Sequence, residues 1–339
     1  MNQEAGGSGI NVGYYGTGAD GETVITTNTN FGSSTDGDPV VKNYKTLVLN
    51  SGCTVTTQNR CKGLVIYVQG DCLINGTITM TARGAYSQPL TDTDIVKGLA
   101  SPHVYVRYPS PSAASEKLTI PMVGAAGGVG VGANQAGIVG VAGTSGQTGG
   151  GGSGGNQDAC PGGNGAAGSA FSGGPGGGGG VYGGTQHAGT AYGGPGGAGT
   201  NSSGSGISVG TGGGAGNPGG VGGTGNGGKY AATNGQDGTG GILILIVGGN
   251  LVIGASGVLS ANGMNGGNGG TSDYPYYGAT GGGGSGGGSI VVIYRVSYTN
   301  SGSITVNGGL GGSAYVPGYN AEFGGAGGAG SIQTFQVVE

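Results

Sequence analysis

Glycine at every third position dominates the middle of this chain and limits what it can fold into. Because glycine has no Cβ, neighbouring segments can approach until their backbone N–H and C=O groups pair. A period of three matches the polyproline II helix, which has three residues per turn and no internal hydrogen bonds. The spacing therefore predicts packed polyglycine II helices. Two long runs keep it without a break: Gly137, Gly140, Gly143, Gly146, Gly149, Gly152, Gly155 and Gly210, Gly213, Gly216, Gly219, Gly222, Gly225, Gly228.

Two other structures use glycine-rich sequence. Collagen needs an unbroken register filled with proline, but this chain has only 12 prolines and its register shifts after Gly155. A flexible linker stays open as an alternative. Two observations count against a linker: glycine keeps its three-residue spacing over long runs, and Val, Ile, Phe and Tyr occur within this region. Short runs joined by turns favour one chain that folds back on itself.

Short β-strand patterns flank the glycine region, each bounded by Gly or Asn. Part of the pattern repeats: Gly63–Ala85 parallels Gly241–Met264 and, more loosely, Gly288–Gly309. Ser331–Val338 is one more strand of the same kind, and glycine triplets continue between these copies. The first strand patterns are Thr46–Leu49, Cys53–Thr57, Leu64–Val68, Cys72–Asn75 and Thr77–Thr81.

These patterns predict a mostly β protein with essentially no α-helix. We expect a short-strand β-solenoid or sandwich framework plus a glycine-rich bundle of polyglycine II helices. Residues 1–43 are polar and turn-rich and are predicted to be an irregular or weakly stranded N-terminal attachment segment. Residues 44–123 form a β-rich domain that ends in a connection. Residues 124–339 form the glycine-rich bundle, interleaved with strands at 242–262, 289–307 and 331–338.

Charge and hydropathy exclude several classes of partner. The net charge is −4 and the 10 Lys and Arg residues do not cluster, so we expect no nucleic-acid binding. The N-terminal residues lack a basic stretch followed by an apolar one, so no classical signal peptide is expected. The apolar window Ile242–Leu259 is interrupted by Gly248 and Gly249, which favours two strands over a membrane span. Self-association is expected, because a chain with 95 glycines loses much backbone entropy on folding.

Residues that carry chemistry are sparse. No nucleophile motif lies between a strand and a helix, so we predict a non-enzymatic protein with no catalytic residue and no cofactor. The cysteines and histidines show no metal-binding spacing. Partial pairing of Cys53, Cys61 and Cys72 stays open, but free buried thiols are expected. The acidic residues would suit Ca²⁺, but solvated turns are the preferred interpretation. The cysteines and histidines are Cys53, Cys61, Cys72, Cys160, His103 and His187. The acidic residues are Asp20, Glu22, Asp36 and Asp38.

Tyrosines collect between the glycine runs. Tyrosine supplies rigid, amphipathic contact area at low entropic cost, as binding loops use it. The cluster around Pro275 is the leading candidate for a binding site. The alternative for each tyrosine is that it caps an open end of the glycine bundle. The predicted ligand-binding residues are Tyr274, Tyr276, Tyr277, Tyr315, Tyr319, Tyr182 and Tyr192.

The alternation of apolar strands with Gly-Gly-x runs in Gly281–Tyr294 and Gly324–Ile332 resembles glycine-rich phage structural proteins. It is similar in particular to tail-fibre tip adhesins, in which a polyglycine II sandwich presents receptor-binding loops. This chain departs from them in its length and in having a β-rich part before the glycine region.

The resemblance implies a virion surface protein, either a receptor-binding adhesin or a fibre or decoration subunit. Such a protein contacts a host-surface glycan or protein and associates with other virion proteins through its N-terminal part. It reaches the virion surface or the extracellular space without a signal peptide, because virions leave by lysis. Two other classes stay open. One is a structural filament or matrix protein without a specific ligand. The other is an ice-binding protein, but its flat face would need short side chains, and the bulky tyrosines argue against it.

Overall fold

The computed structural model describes residues 15–84, 238, 240–268, 283–313 and 323–337, together with isolated positions and short strands between 103 and 207. No helix occurs in this part of the chain, so the prediction of a mostly β protein is confirmed there. The first seven strands are β1 (Gly21–Ile25), β2 (Thr29–Phe31), β3 (Val40–Leu49), β4 (Thr54–Thr57), β5 (Leu64–Val68), β6 (Cys72–Ile74) and β7 (Thr77–Thr79).

Four strands follow between residues 103 and 207, and they form two antiparallel pairs: β8 (His103–Tyr108) with β9 (Glu116–Pro121), and β10 (Ser202–Ser203) with β11 (Gly206–Ile207). The remaining strands are β12 (Ile242–Val247), β13 (Asn250–Ile253), β14 (Val258–Ser260), β15 (Ser289–Tyr294), β16 (Ser297–Asn300), β17 (Ser303–Thr305) and β18 (Ser331–Gln336).

The predicted repeat copies stack on one another strand by strand. Each copy is a pass of three strands, and every strand pairs in parallel with its counterpart in the next pass: β5–β12–β15, β6–β13–β16 and β7–β14–β17. β18 adds a further parallel strand to β15. The register is unshifted, because Leu64, Leu243, Ile290 and Ile332 lie in one row across four strands. The resulting sheets have nine and five strands, and we call them together the framework.

The first part of the framework lies earlier in the chain than the strand patterns indicate. β3 begins at Val40, and its first half pairs with β5 while its second half pairs with β6 and β1. β2 pairs in parallel with β4. Strands β1 and β2 therefore lie within the segment 1–43, and β3 crosses its boundary. One ion pair, Asp20–Lys42, lies within this segment, and two more, Asp36–Arg60 and Asp38–Lys62, join it to later residues.

The core lies on both faces of the sheet that contains β12. All six side chains of β12 are buried, and they alternate between two clusters. Leu243, Leu245 and Val247 join the larger cluster, while Ile242, Ile244 and Ile246 join a smaller one with Tyr15 and Val337. A parallel strand covered on both faces is apolar throughout rather than alternating, which explains the sequence of β12.

The three cysteines in the described part lie in this core. Cys53, Cys61 and Cys72 are buried and form no disulfide, so the prediction of free thiols is confirmed for them. Cys160 lies outside the described residues.

Polar side chains connect successive passes at the turns. Between the first and second strand of each pass, Asp71 Oδ1 accepts hydrogen bonds from Asn250 N (2.8 Å) and Nδ2 (3.0 Å). Ser297 Oγ then donates to Asn250 Oδ1 at 2.7 Å. The turns thus stack with their strands, and this fixes the corner of each pass.

Candidate binding surface

The glycine-rich segments all leave the framework at one corner. They follow the third strand of a pass and precede the first strand of the next: residues 80–241, 261–288 and 306–330. The structure describes both ends of the second and third excursions. We call these ends arm 1 (261–268), arm 2 (283–288), arm 3 (306–313) and arm 4 (323–330).

Within the second and third excursions, the outgoing and returning arms run antiparallel and are hydrogen-bonded at every third residue. In the third excursion, Gly324, Gly327 and Gly330 donate from their backbone N–H groups to the carbonyl oxygens of Gly312, Gly309 and Val306, at 2.7–3.0 Å. In the second, Ser285 and Gly288 donate to Met264 and Ala261. The spacing of donors and acceptors is therefore the same three-residue period that the glycines show in the sequence.

The two excursions also bond to each other with this spacing. Gly263 and Gly266 of arm 1 donate to the carbonyl oxygens of Asn307 and Leu310 of arm 3, both at 2.8 Å. Gly284 and Gly287 of arm 2 donate to Gly325 and Gly328 of arm 4, both at 2.9 Å. Corresponding arms thus run parallel, and the four arms form one two-dimensional array of backbone contacts.

Glycine is required where these backbones touch. A Cβ on Gly309 would collide with the Met264 carbonyl, and one on Gly263 or Gly327 would collide with the Ser285 carbonyl. The obstructing atoms are backbone, so they cannot move aside as a side chain would. The same holds at Gly284, Gly287, Gly308, Gly311 and Gly330.

Asparagines supply a second line of hydrogen bonds between arms 1 and 3. The Oδ1 atoms of Asn262, Asn265 and Asn268 accept from the backbone N–H groups of Asn307, Leu310 and Ser313, each at 2.8 Å. Both sets are spaced by three residues, and we call this row the asparagine ladder. Asn164 Oδ1 similarly accepts from Ala326 N at 2.9 Å. The ladder fixes the register between the excursions.

The predicted binding residues lie outside the described residues. Tyr274, Tyr276 and Tyr277 belong to residues 269–282, which follow arm 1, and Tyr315 and Tyr319 belong to residues 314–322, which follow arm 3. Tyr182 and Tyr192 belong to the first excursion and are likewise not described. The last described residues before the two later segments lie side by side, because Ser313 N donates to Asn268 Oδ1.

Two exposed apolar side chains lie on the described arms near these starting points. Leu310 is 67% exposed and Phe323 is 44% exposed. Phe323 precedes Gly324, whose N–H donates to Gly312, so its backbone lies beside the end of arm 3. Both exposed apolar side chains therefore lie on the array within a few residues of the points where the described arms stop.

Several described titratable groups have pKa values that lie further from neutral pH than their ordinary values. Burial, with a smaller contribution from Asp20, raises the pKa of Tyr44 to about 12, and burial raises the pKa of Tyr67 and of Tyr298. Burial, together with the nearby Asp71 charge, raises the pKa of Cys72 to about 12. A hydrogen bond from Lys62 lowers the pKa of Asp38. These groups therefore keep their ordinary charge states at pH 7. A general acid or base, by contrast, works best with a pKa near the operating pH.

Comparisons with known proteins found no matching family model, no matching curated protein and no matching solved structure. Within the described ranges, no cluster of three or more His, Cys, Asp or Glu side chains has an arrangement that would hold a metal ion. No helix in the described residues has the length and apolar character needed to cross a membrane.

Proposed function

We propose that this protein is a non-enzymatic virion surface protein, either a receptor-binding adhesin or a fibre or decoration subunit. It presents tyrosine-rich loops to a glycan or protein on the host surface. The array of glycine arms is the main support for this proposal. Its backbones are fixed in two directions by hydrogen bonds, so loops that leave it start from positions with little freedom. Rigid scaffolds that carry loops are typical of recognition proteins.

The arms have the properties of short polyglycine II helices, and we propose this conformation for them. They contact neighbours with a period of three, and glycine occupies the positions where no Cβ fits. The stacked parallel passes of the framework likewise support a β-solenoid, in which each pass is one coil. The solenoid then acts as the base from which the polyglycine II array projects.

Chain geometry supports a shared location for two of the tyrosine-bearing segments. An extended residue spans about 3.6 Å at most, so the chain from Ser313 to Tyr315 can span at most about 7 Å, and the chain from Asn268 to Tyr274 at most about 22 Å. Since Ser313 and Asn268 are hydrogen-bonded, the two segments that carry these tyrosines begin at adjacent positions. A surface formed by both segments is therefore within reach of the chain.

Attachment to other virion proteins is proposed for the N-terminal part. Among the described strands, β1 pairs with β3 alone and β2 pairs with β4 alone, so each offers one free edge. A partner strand or a second copy of the chain covers such edges in many proteins. We place the protein on the virion surface or outside the cell, with no role in binding nucleic acid or inserting into a membrane.

A structural filament subunit is the second candidate, and the opposite end of the framework favours it. There, β16, β17 and β18 also pair on one side only among the described strands. Two different free ends permit head-to-tail stacking of copies, which builds filaments rather than closed rings.

The adhesin proposal is tested by cell binding. We expect the wild-type chain to bind susceptible host cells saturably, and the Tyr274→Ala/Tyr276→Ala/Tyr277→Ala variant to lose at least tenfold in affinity. The matched control is Tyr294→Ala/Tyr298→Ala, which removes a tyrosine pair of the framework whose ring centroids are 5.4 Å apart. Far-UV circular dichroism and thermal unfolding establish that each variant is folded. A folded wild type that binds no host cell, and that sediments as a polymer, would instead support the filament subunit.

A further inference from the structure

A small pocket lies on the framework where three turns of the chain meet. Its volume is about 270 Å³, and its walls include Thr35, Gln58, Arg60, Ala82, Arg83 and Gly238. These residues follow β2, β4 and β7 and precede β12, so successive passes each contribute to the pocket. We call it the arginine pocket. It belongs to the framework and does not depend on the tyrosine-bearing segments.

Two of the 10 Lys and Arg residues of the chain line this small pocket. Arg60 donates from Nε and Nη2 to the two carboxylate oxygens of Asp36, at 2.7 and 2.8 Å, so these two charges offset each other. Among the ion pairs of the described part, none includes Arg83. Among the described residues that line the pocket, the partly buried Arg83 is therefore the cation whose charge no described carboxylate offsets.

Neutral polar groups accompany this charge. Gln58 and Thr35 are exposed and bring an amide and a hydroxyl to the pocket wall. The segment that carries Gln58 is held in place, because Asn59 donates from its backbone N to Ser33 Oγ and from Nδ2 to the Ser33 carbonyl. A planar guanidinium beside neutral donors is the combination that proteins use to bind carboxylate and phosphate oxygens.

The backbone around the pocket is unusual. In the described part, the non-glycine residues with positive φ are Asp36 and Ala82, both at 56°. Ala82 lines the pocket, and Asp36 adjoins it through Thr35 and Arg60. Ala82 is held by a hydrogen bond from its N–H to the Asn262 carbonyl at 3.1 Å and by the close packing of Gly238. Non-glycine residues in this conformation are uncommon and cluster at binding sites.

We infer that the arginine pocket binds an anionic monosaccharide, with Arg83 paired to its carboxylate or phosphate and Gln58 and Thr35 bonded to neighbouring oxygens. The volume supports a ligand of this size, since pockets for larger organic ligands span about 300–1,000 Å³. The pocket therefore accommodates one sugar unit rather than several. Sugar acids and sugar phosphates share the chemistry that Arg83 recognises.

The test uses the full chain and isothermal titration at low ionic strength with N-acetylneuraminate, glucose 6-phosphate and uncharged glucose. We expect at least one of the two anions to bind and glucose not to bind. Binding of only the carboxylate identifies a sugar acid, and binding of only the phosphate identifies a sugar phosphate. Failure of both anions to bind the wild type at 10 mM, about the weakest affinity that such a titration resolves, would overturn the inference.

Matched variants locate the site. Arg83→Gln is expected to weaken binding at least tenfold, whereas Arg295→Gln, which makes the same change in charge in the last pass, leaves it within about twofold. Equal weakening by both variants would show a general charge effect and contradict the inference. Gln58→Ala, at an exposed position, keeps the test decisive if Arg83→Gln fails to fold. It is expected to weaken binding about threefold, and an unchanged affinity in a folded Gln58→Ala protein would also count against the site.

Discussion

The framework and the glycine arms are both held by backbone hydrogen bonds between adjacent chain segments, but they bring those segments together by opposite means. In the framework, side chains such as those of Leu243 and Ile244 fill the space on both faces of the sheet and are fully buried. In the arms, the backbones meet because side chains are absent at the contact positions. The comparison shows that apolar burial stabilises the framework, whereas the arms require that no side chain stands between their backbones.

This difference predicts opposite tolerance to mutation, and its largest effect is expected in the arms. Gly309→Ala places a methyl group against the Met264 carbonyl, where only backbone can give way. We expect a loss of about 4 kcal/mol in the free energy of unfolding, since overpacking and a broken hydrogen bond act together. Urea unfolding measures it. Gly32→Ala is the matched control, because a Cβ there meets nothing within 4 Å. A loss of similar size in both variants would mean that contact between the arms is not the cause.

A core mutation in the framework is expected to be somewhat less damaging. Leu245→Ala removes a fully buried side chain of β12 and leaves a cavity, which costs about 3 kcal/mol. Leu245→Met keeps the volume and is expected to cost less than about 1.5 kcal/mol. Thermal and urea unfolding of the two variants give the comparison. If methionine were as destabilising as alanine, the framework would be as intolerant as the arms and the contrast would fail.

Alkaline pH is expected to weaken the framework through Cys72. Burial raises the pKa of this thiol from its ordinary value of 9.0 to about 12, so between these values the folded chain retains a proton that the unfolded chain has lost. The contribution of the Cys72 thiol to the free energy of unfolding is therefore complete below pH 9. It falls as the pH rises towards 12, by up to about 1.4 kcal/mol per pH unit. The raised pKa of Tyr44 adds to the loss above pH 10.

Urea unfolding at pH 8 and pH 10.5 tests this dependence, with Cys72→Val as the comparison. Valine has no proton to lose, so the variant should lose less stability between the two pH values than the wild type. Parallel losses in the two proteins would assign the alkaline effect to other groups.

The smallest effect is expected in the asparagine ladder. Asn265→Ala removes the acceptor of the Leu310 N–H group, which water can partly replace at this exposed site. The expected loss is about 1 kcal/mol. Asn265→Asp keeps an oxygen in the same position and should stay within about 0.5 kcal/mol of the wild type. Hydrogen exchange at the Leu310 amide gives the direct measurement: faster exchange in the alanine variant alone is expected, and equal exchange in all three proteins would argue against the ladder.

Much of the framework can be predicted from the sequence, because apolar runs between glycines mark both the strands and the repeat. The pattern does not distinguish a parallel stack from a sandwich, since side chains alternate with a period of two in both. Strands β1 and β2 were harder to predict, because their residues are largely polar and only Ile25 among them is buried.

The arms show what a period can and cannot reveal. The three-residue spacing of glycine predicts contacts at every third residue, and arms 1 to 4 have them. The long runs at 137–155 and 210–228 lie outside the described residues, as do the predicted binding tyrosines, so their role stays a prediction. The asparagine ladder was missed, because Asn before Gly is typical of turns. Its signal is the repeat Asn-Gly-x at 262, 265 and 268. The arginine pocket joins residues far apart in sequence and has no local signal.

The single corner from which all three glycine-rich excursions leave has a consequence for how such a protein diversifies. Each excursion begins and ends on strands that are stacked on their neighbours in fixed register, whatever lies between. The segments 80–241, 261–288 and 306–330 differ several-fold in length, yet the strands on either side keep the same alignment. Each doubling of a flexible insertion adds only about 0.6 kcal/mol of closure entropy. Evolution can therefore lengthen, shorten or exchange material at this corner while the rest of the molecule is inherited unchanged.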